Sequence, residues 1–236
     1  MSSEADLSKM HPKLILSSSQ KAHRFLFTKL RDTSTSPADF VKYSQRSMRL
    51  LAEDALAEFA TTRVTVSTPC GNWSQGLTGP DPSSIVAVSI IRSGDALLEA
   101  VRYVEPDVRV GKILIQRDED HPMKLPTLFY CKLPPEMHDD NKSDKNSPMK
   151  VLLCDPMLAT GGSAILALDV LTQAPYNVSP SDIVFANMIC APEGLQAMAA
   201  KYPDVTIVTA QIDECLNEDK FIVPGLGDYG DRFFNT

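Results

Sequence analysis

The sequence predicts an α/β fold, a mostly parallel twisted sheet flanked by helices, and three observations carry that prediction. Four short apolar runs, Ile85 to Ile91, Lys112 to Gln116, Val151 to Leu153 and Ile183 to Ile189, have the length and branching of buried strands. Helix-favouring segments follow several of them, the alternation that covers both faces of a parallel sheet. From Val151 to Leu168 one whole unit is legible: an apolar strand, an acid, a turn of small residues and an Ala- and Leu-rich helix. A chain of 236 residues can bury a full core, and a single domain over 1–236 is expected.

Taken in order, residues 1–35 are the least informative. Ser17-Ser18-Ser19 precedes a mixed segment through Phe25, Leu26 and Phe27, which reads as a peripheral helix. Ser36, Pro37 and Asp39 make a helix start, with a serine N-cap, proline in the first turn and an acid at N3. Leu50, Leu51, Leu56 and Phe59 recur at helical spacing and carry an amphipathic helix to about Phe59. The β-branched alternation from Arg63 to Thr68 predicts a strand. The glycines and Trp73 between Cys70 and Pro80 predict an irregular flap with the indole packed locally beneath it. Pro134 to Pro148 is polar and highly charged, a surface loop. Its acids and His138 lack a fixed ligand spacing, which favours solvation over metal binding.

Composition narrows the function. A net charge of −7 and a pI near 5.1 argue against a broad nucleic-acid or anionic-membrane surface, so any phosphate site must be built locally. The five cysteines are an odd number with no C-x-x-C pair, which indicates a reducing compartment. Those in apolar runs read as small buried hydrophobes. Glu4 and Asp6 stand where a signal peptide would be basic, and no apolar stretch reaches membrane-span length. A soluble, cytoplasmic protein without nucleic-acid or membrane partners is expected.

The chemistry concentrates where apolar runs stop, because open parallel sheets bind ligands beyond the carboxyl ends of their strands. After Asp155, the turn Ala159-Thr160-Gly161-Gly162-Ser163 leaves backbone N–H groups at a helix start, where the dipole favours anions. Phosphate binding and plain packing both suit this turn taken alone. No Walker A pattern competes. Thr160 and Ser163 add hydroxyl donors, and Asp155 suits ribose hydroxyls or a metal-bound water. After Ile91 comes Arg92-Ser93-Gly94, an arginine beside a small turn that can meet a diphosphate bidentately. After Gln116 comes Arg117-Asp118-Glu119-Asp120, a second charged arm. Near the end of the sequence, Ile222 to Phe234 is dense in glycine, as in a segment whose backbone touches a ligand.

The stretch from Val151 to Ser163 resembles the phosphoribosyl diphosphate signature of type I phosphoribosyltransferases. Its form Asp-Pro-Met-Leu-Ala-Thr-Gly-Gly-Ser is similar to that of the uracil phosphoribosyltransferases, and Pro156 stands where the usual signature has a second acid. Pro224-Gly225-Leu226-Gly227-Asp228-Tyr229-Gly230-Asp231-Arg232 resembles the family's uracil-binding motif. The resemblance runs from about Phe40 to the end and is weakest across residues 1–30 and 138–148.

That resemblance implies a type I phosphoribosyltransferase-like fold with a small C-terminal uracil-binding hood over 216–236. It implies a pyrimidine salvage reaction in which uracil and 5-phosphoribosyl 1-diphosphate give UMP and diphosphate, with Mg2+ as cofactor. It assigns the phosphoribosyl diphosphate site to Arg92, Arg117, Asp155, Pro156, Met157, Leu158, Ala159, Thr160, Gly161, Gly162, Ser163 and Asp228. The uracil site falls to Ile222, Gly227, Asp228 and Tyr229, with Arg92, Arg117, Asp155 and Asp228 as the catalytic set. Ser93 replaces an alanine frequent in the family. Ala191-Pro192-Glu193-Gly194 and Asp213 to Asn217 take structural roles. Homodimers or homotetramers and a GTP effector are further family traits. Arg46 matches an effector arginine, whereas Pro37 stands in place of a lysine that contributes in activated members. A transferase for another base, or a module that senses uracil or nucleotide without turnover, is the alternative.

Overall fold

The computed structural model describes residues 4–59, 61–71, 73–117, 126–138 and 149–236. The described strands are β1 (Leu14–Leu16), β2 (Thr62–Ser67), β3 (Trp73–Thr78), β4 (Ile85–Ile91), β5 (Arg109–Arg117), β6 (Pro126–Lys132), β7 (Lys150–Cys154), β8 (Met157–Leu158), β9 (Ile183–Cys190), β10 (Thr206–Ile212), β11 (Cys215–Leu216) and β12 (Ile222–Val223). The helices are α1 (Glu4–Met10), α2 (Gln20–Arg31), α3 (Pro37–Ala57), α4 (Gly94–Val104), α5 (Gly162–Thr172), α6 (Pro192–Lys201) and α7 (Tyr229–Phe234). One eight-stranded sheet runs β1-β10-β9-β7-β4-β5-β6, and β8 continues the line of β7 beside β9. Its pairings are parallel except at the β5–β6 edge.

The apolar runs are continuous because both faces of the sheet are covered. Alternate residues of a strand point to opposite faces. Thus Leu152 and Cys154 join Phe40, Leu51 and Leu97 in one core, while Val151 and Leu153 join Leu168, Leu171 and Leu195 in the other. The predicted helix start holds: Ser36 Oγ accepts from the Asp39 amide at 3.2 Å, and α3 runs from Pro37 to Ala57.

Residues 14–31 are more than a peripheral helix. β1 adds a parallel edge strand to β10, and α2 buries His23, Leu26, Phe27 and Leu30. The serines that looked uninformative organise this junction. Ser17 Oγ donates to the Asp54 carboxylate on α3 and pairs with His23 Nε2 at 2.7 Å, while His23 Nδ1 meets Ser47 Oγ at 2.8 Å. Burial holds the His23 imidazole below its ordinary pKa, so the network is built around the neutral ring.

The segment from Cys70 to Pro80 corrects the expectation of an irregular flap. β3 pairs antiparallel with β2 in register from Thr62↔Thr78 to Ser67↔Trp73. Nor does the indole pack beneath it: Trp73 is 74 % exposed and Leu77 68 %, beside a half-exposed Val66. Residues 139–148 of the predicted charged loop, and Asp118, Glu119 and Asp120, lie outside the described residues. At the border of that loop, the His138 ring sits edge-on to Tyr176 at 5.0 Å. Among the described residues no helix is long and apolar enough to cross a membrane.

Cys154 and Cys190 are fully buried and Cys131 partly so, whereas Cys70 and Cys215 are exposed. Burial pushes the Cys154 thiol well up, and that of Cys190 up to about 12. A raised thiol pKa leaves almost no thiolate at pH 8, and burial denies access to the reagent. Iodoacetamide at pH 8 should therefore label Cys70 and Cys215 in the native protein and reach Cys154 and Cys190 only after denaturation, as read by peptide mass spectrometry.

Candidate active site

The order of strands reverses between β4 and β7: from β4 the sheet grows outward through β5 and β6, and from β7 through β9 and β10. Neighbouring connections leave in opposite directions at such a point and open a crevice beyond the carboxyl ends. A cleft of about 760 Å³ lies there. Its lining joins Arg92 and Ser93 after β4, Gln116 on β5, Asp155 and the 157–164 segment after β7, and Asp219 to Ile222 and Gly227 to Gly230 from the last part of the chain.

Two glycines allow the walls to close up. A Cβ on Gly94 would fall 2.3 Å from the Cys154 carbonyl oxygen, so only glycine lets the start of α4 rest on the end of β7. That contact brings Ser93 Oγ to 3.0 Å from Asp155 Oδ1, tying the β4 and β7 arms together. Lys112 Nζ and Ser89 Oγ hold the Asp95 carboxylate from below, at 3.0 and 2.6 Å. On the other side, a Cβ on Gly194 would meet the Ala159 carbonyl oxygen at 2.5 Å, so the first turn of α6 packs directly under the small-residue turn.

The turn itself opens a helix. Gly161 caps α5 at φ 84°, a left-handed conformation that costs an alanine about 1–2 kcal/mol. Ile165 N donates to Gly161 O at 2.8 Å, which starts the helical ladder, and Gly162 N turns back to Thr160 Oγ1 at 3.4 Å. No acid lies in the first turn of α5, so its positive end is unneutralised by its own residues. Met157, Leu158, Ala159, Thr160, Gly161, Gly162 and Ser163 all line the cleft, as does the mostly buried Asp155. Pro156 does not. Its carbonyl accepts from Met188 and Ile189 amides at 2.9 and 3.1 Å, which pins the turn to β9, so its part is structural.

Across the cleft, the last part of the chain forms a hood from the β11–β12 hairpin, a turn at Gly225 and Gly227, and α7. Both glycines have positive φ, 63° and 80°. Two arginines hold the hood down. Arg31 at the end of α2 binds Asp213 bidentately at 2.6 and 2.8 Å and donates to Gly225 O at 2.7 Å, while Gly225 N donates to Asp213 Oδ2 at 2.8 Å. Arg232 donates to Leu30 O and Leu226 O at 2.5 and 2.6 Å, with its guanidinium 4.2 Å from the centre of the Phe40 ring. The structural roles expected for Asp213 and Glu193 hold, since Glu193 Oε1 accepts from Leu216 N at 2.9 Å.

Of the expected base-site residues, Ile222, Gly227, Asp228 and Tyr229 all border the cleft, but the Tyr229 side chain does not face it. Its ring is 1 % exposed, packed against Phe40 at 5.5 Å and Phe233 at 5.6 Å, and its hydroxyl reaches Met48 Sδ at 3.7 Å. Only the Tyr229 backbone remains for a ligand; the side chain anchors α7. Asp228 caps α7 by accepting from Asp231 N at 2.9 Å and keeps an exposed carboxylate. Arg92 contacts α7 as well, with Nη2 2.5 Å from Asp231 Oδ1. Arg92 is first among the groups that hold the Asp231 carboxyl below the ordinary range.

The backbone of Arg117 closes β5 opposite Pro126, and its side chain lies outside the described residues. Arg46 is not among the cleft-lining residues. It lies on the exposed side of α3, its guanidinium 5.7 Å from the Tyr43 ring centre and 5.8 Å from that of Phe25. Sequence reasoning missed Gln116 and the Asp219-Lys220-Phe221 corner. The usable signal was Asn217, whose side chain caps the Phe221 amide at 2.8 Å and whose carbonyl accepts from Lys220 N at 3.0 Å, a tight polar turn just before Ile222. Among the described residues no group of three or more His, Cys, Asp or Glu is placed to hold a metal.

Comparison with known proteins adds three findings. The model of the family described as uracil phosphoribosyltransferase matches residues 17–236. The uracil phosphoribosyltransferase of Dictyostelium discoideum is 43 % identical over 211 residues, 89 % of this chain and 91 % of that protein. That of Saccharomyces cerevisiae is 42 % identical over 209 residues, 89 % and 90 %. The solved structure of the AQ2163 protein from Aquifex aeolicus superposes with a TM-score of 0.73 at 29 % identity, covering 94 % of this chain and 97 % of that one.

Gly161→Ala forces the left-handed φ on an alanine and sets its Cβ 3.3 Å from both Ala197 Cβ and Gly194 O. It should cost about 1–2 kcal/mol, roughly 2–4 °C in Tm for a chain of this length. It should also weaken binding of a phosphate monoester such as ribose 5-phosphate, measured by calorimetry.

Proposed function

The chain belongs to the uracil phosphoribosyltransferase family, and we propose that its cleft joins uracil to 5-phosphoribosyl 1-diphosphate, giving UMP and diphosphate in pyrimidine salvage. One observation carries the reading: an uncompensated helix N-terminus and a glycine-rich hood face each other across a single cleft, with Arg92 and Asp155 between them. That is one wall for phosphate, one for a base and a polar floor for the sugar.

The reaction breaks the bond from the anomeric carbon to diphosphate and forms one from that carbon to a uracil ring nitrogen, through a sugar with cationic character. The protein's work is positioning and charge stabilisation. The Ala159 to Ser163 turn would hold the 5′-phosphate on its amides and on the Thr160 and Ser163 hydroxyls. Asp155, oriented by Ser93, would accept from the ribose hydroxyls. Arg92 and Arg117 would take the leaving diphosphate. Main-chain groups around Ile222, Gly227 and Tyr229 would read the uracil edge, where cytosine would leave a buried polar group unpaired. Asp228 is the carboxylate placed to interact with the attacking nitrogen.

Magnesium fits this donor set as an ion carried on the diphosphate. It needs one or two carboxylates besides substrate oxygens and water, and Asp155 supplies one where Pro156 removes the other. Bound there, it would neutralise charge on the leaving diphosphate.

The oligomer belongs to the same reading. A two-stranded hairpin is marginal alone in water, yet β2 and β3 expose Val66, Trp73 and Leu77. A second copy of the chain would cover that arm, giving a homodimer or a larger assembly. GTP, as a possible effector, would meet Arg46 beside the Phe25 and Tyr43 rings.

UMP formation from uracil, phosphoribosyl diphosphate and magnesium, with and without GTP, tests the activity; failure with a panel of bases would leave only a sensor. Asn caps a helix as well as Asp, so Asp228→Asn removes charge without uncapping α7 and should lower kcat by about 100-fold. Normal turnover in that variant would sink the role. Trp73→Glu combined with Leu77→Glu should shift the mass measured by light scattering toward the monomer.

A further inference from the structure

Arg92 does not reach into the cleft unsupported. Nη2 sits 2.5 Å from Asp231 Oδ1, Nη1 donates to Thr236 Oγ1 at 3.0 Å, and Thr236 Oγ1 donates to Asp231 Oδ1 at 3.2 Å. The guanidinium lies across the first turn of α7, where a Cβ on Gly230 would fall 3.0 Å from Nη2 and 3.2 Å from Nε. The same turn is capped by Asp228, whose Oδ1 accepts from Asp231 N at 2.9 Å. A single turn of helix therefore touches the base-side carboxylate and the diphosphate-side arginine together.

We propose that Asp231 is a positioning residue for Arg92, holding the guanidinium against α7 so that its remaining N–H donors face the diphosphate. This rests on the phosphoribosyl-transfer reading above. A stability role is a poor explanation for the pair. Both side chains are about half exposed, 50 % and 53 %, and exposed ion pairs add little to folding. What the pair does is remove rotamer freedom from a long side chain before the ligand arrives, and ordering such a side chain on binding typically weakens affinity about five- to tenfold. The depressed Asp231 carboxyl pKa fits a group kept ionised for this purpose. Gly230 supplies the room, since an alanine Cβ would press on the guanidinium at 3.0 Å and reach only ordinary contact, 3.4 Å, with Asp228 Oδ1.

Steady-state kinetics on the full chain test this with Asp231→Asn, Asp231→Glu and Gly230→Ala. Asp231→Asn and Gly230→Ala should raise KM for phosphoribosyl diphosphate about five- to tenfold and leave kcat and the uracil KM within about twofold. Asp231→Glu should recover part of the loss. In an Arg92→Ala background Asp231→Asn should add nothing, because the two act as one unit. An unchanged KM for phosphoribosyl diphosphate would overturn the proposal. So would equal rises in both KM values or a full further loss in the Arg92→Ala background, which would mark Asp231 as part of the α7 scaffold alone. Calorimetric titration of inorganic diphosphate reads the same effect without turnover. If the wild type forms no UMP, the transferase reading fails, and the diphosphate titration still decides the role of Asp231.

Discussion

Everything in this molecule that concerns ligands depends on one constraint, the reversal of strand order between β4 and β7. Two parallel strands whose following segments leave in opposite directions cannot close the space above their ends, and that space is the cleft. The reversal places the Arg92 turn and the Asp155 to Ser163 turn side by side, although more than 60 residues separate Arg92 from Asp155 in the chain. Burial on both faces gives these strands continuous apolar sequences and leaves polar residues only where the strands stop.

The crevice becomes a defined site through missing Cβ atoms. Gly94 resting on the Cys154 carbonyl and Gly194 on the Ala159 carbonyl draw α4 and α6 inward by the width of a side chain. The first contact lets Ser93 reach Asp155, and the second supports the Ala159 to Ser163 turn from below. In each case the close approach is between parts of the protein itself. The glycines are present so that the walls fit one another, and the ligand site follows from that fit.

The hood is held by a different means. It adds Ile222, Leu226 and Tyr229 to the core, and its position is fixed by Arg31 and Arg232, which satisfy backbone carbonyls at the end of α2 and in the hood together. The Tyr229 ring completes the attachment by filling a space beside Phe40 and Met48. The hood therefore rests on α2 and α3, neither of which lines the cleft.

The sequence by itself determined the four central strands, the capped α3, the small-residue turn into α5 and the glycine-rich last segment, because each is written in local periodicity, capping or glycine spacing. Tertiary structure alone decided the rest. Ser17 and His23 became a buried network because Asp54 and Ser47 lie across a helix interface. Tyr229 turned into the core because its ring fits beside Phe40, which no reading of the motif around it reveals. Trp73 stayed exposed because β2 and β3 pair only with each other among the described strands. Asp231 gained a meaning only when α7 met Arg92. Local sequence encodes what a segment can form, whereas the partner of a side chain depends on which distant segment the folded chain brings to it.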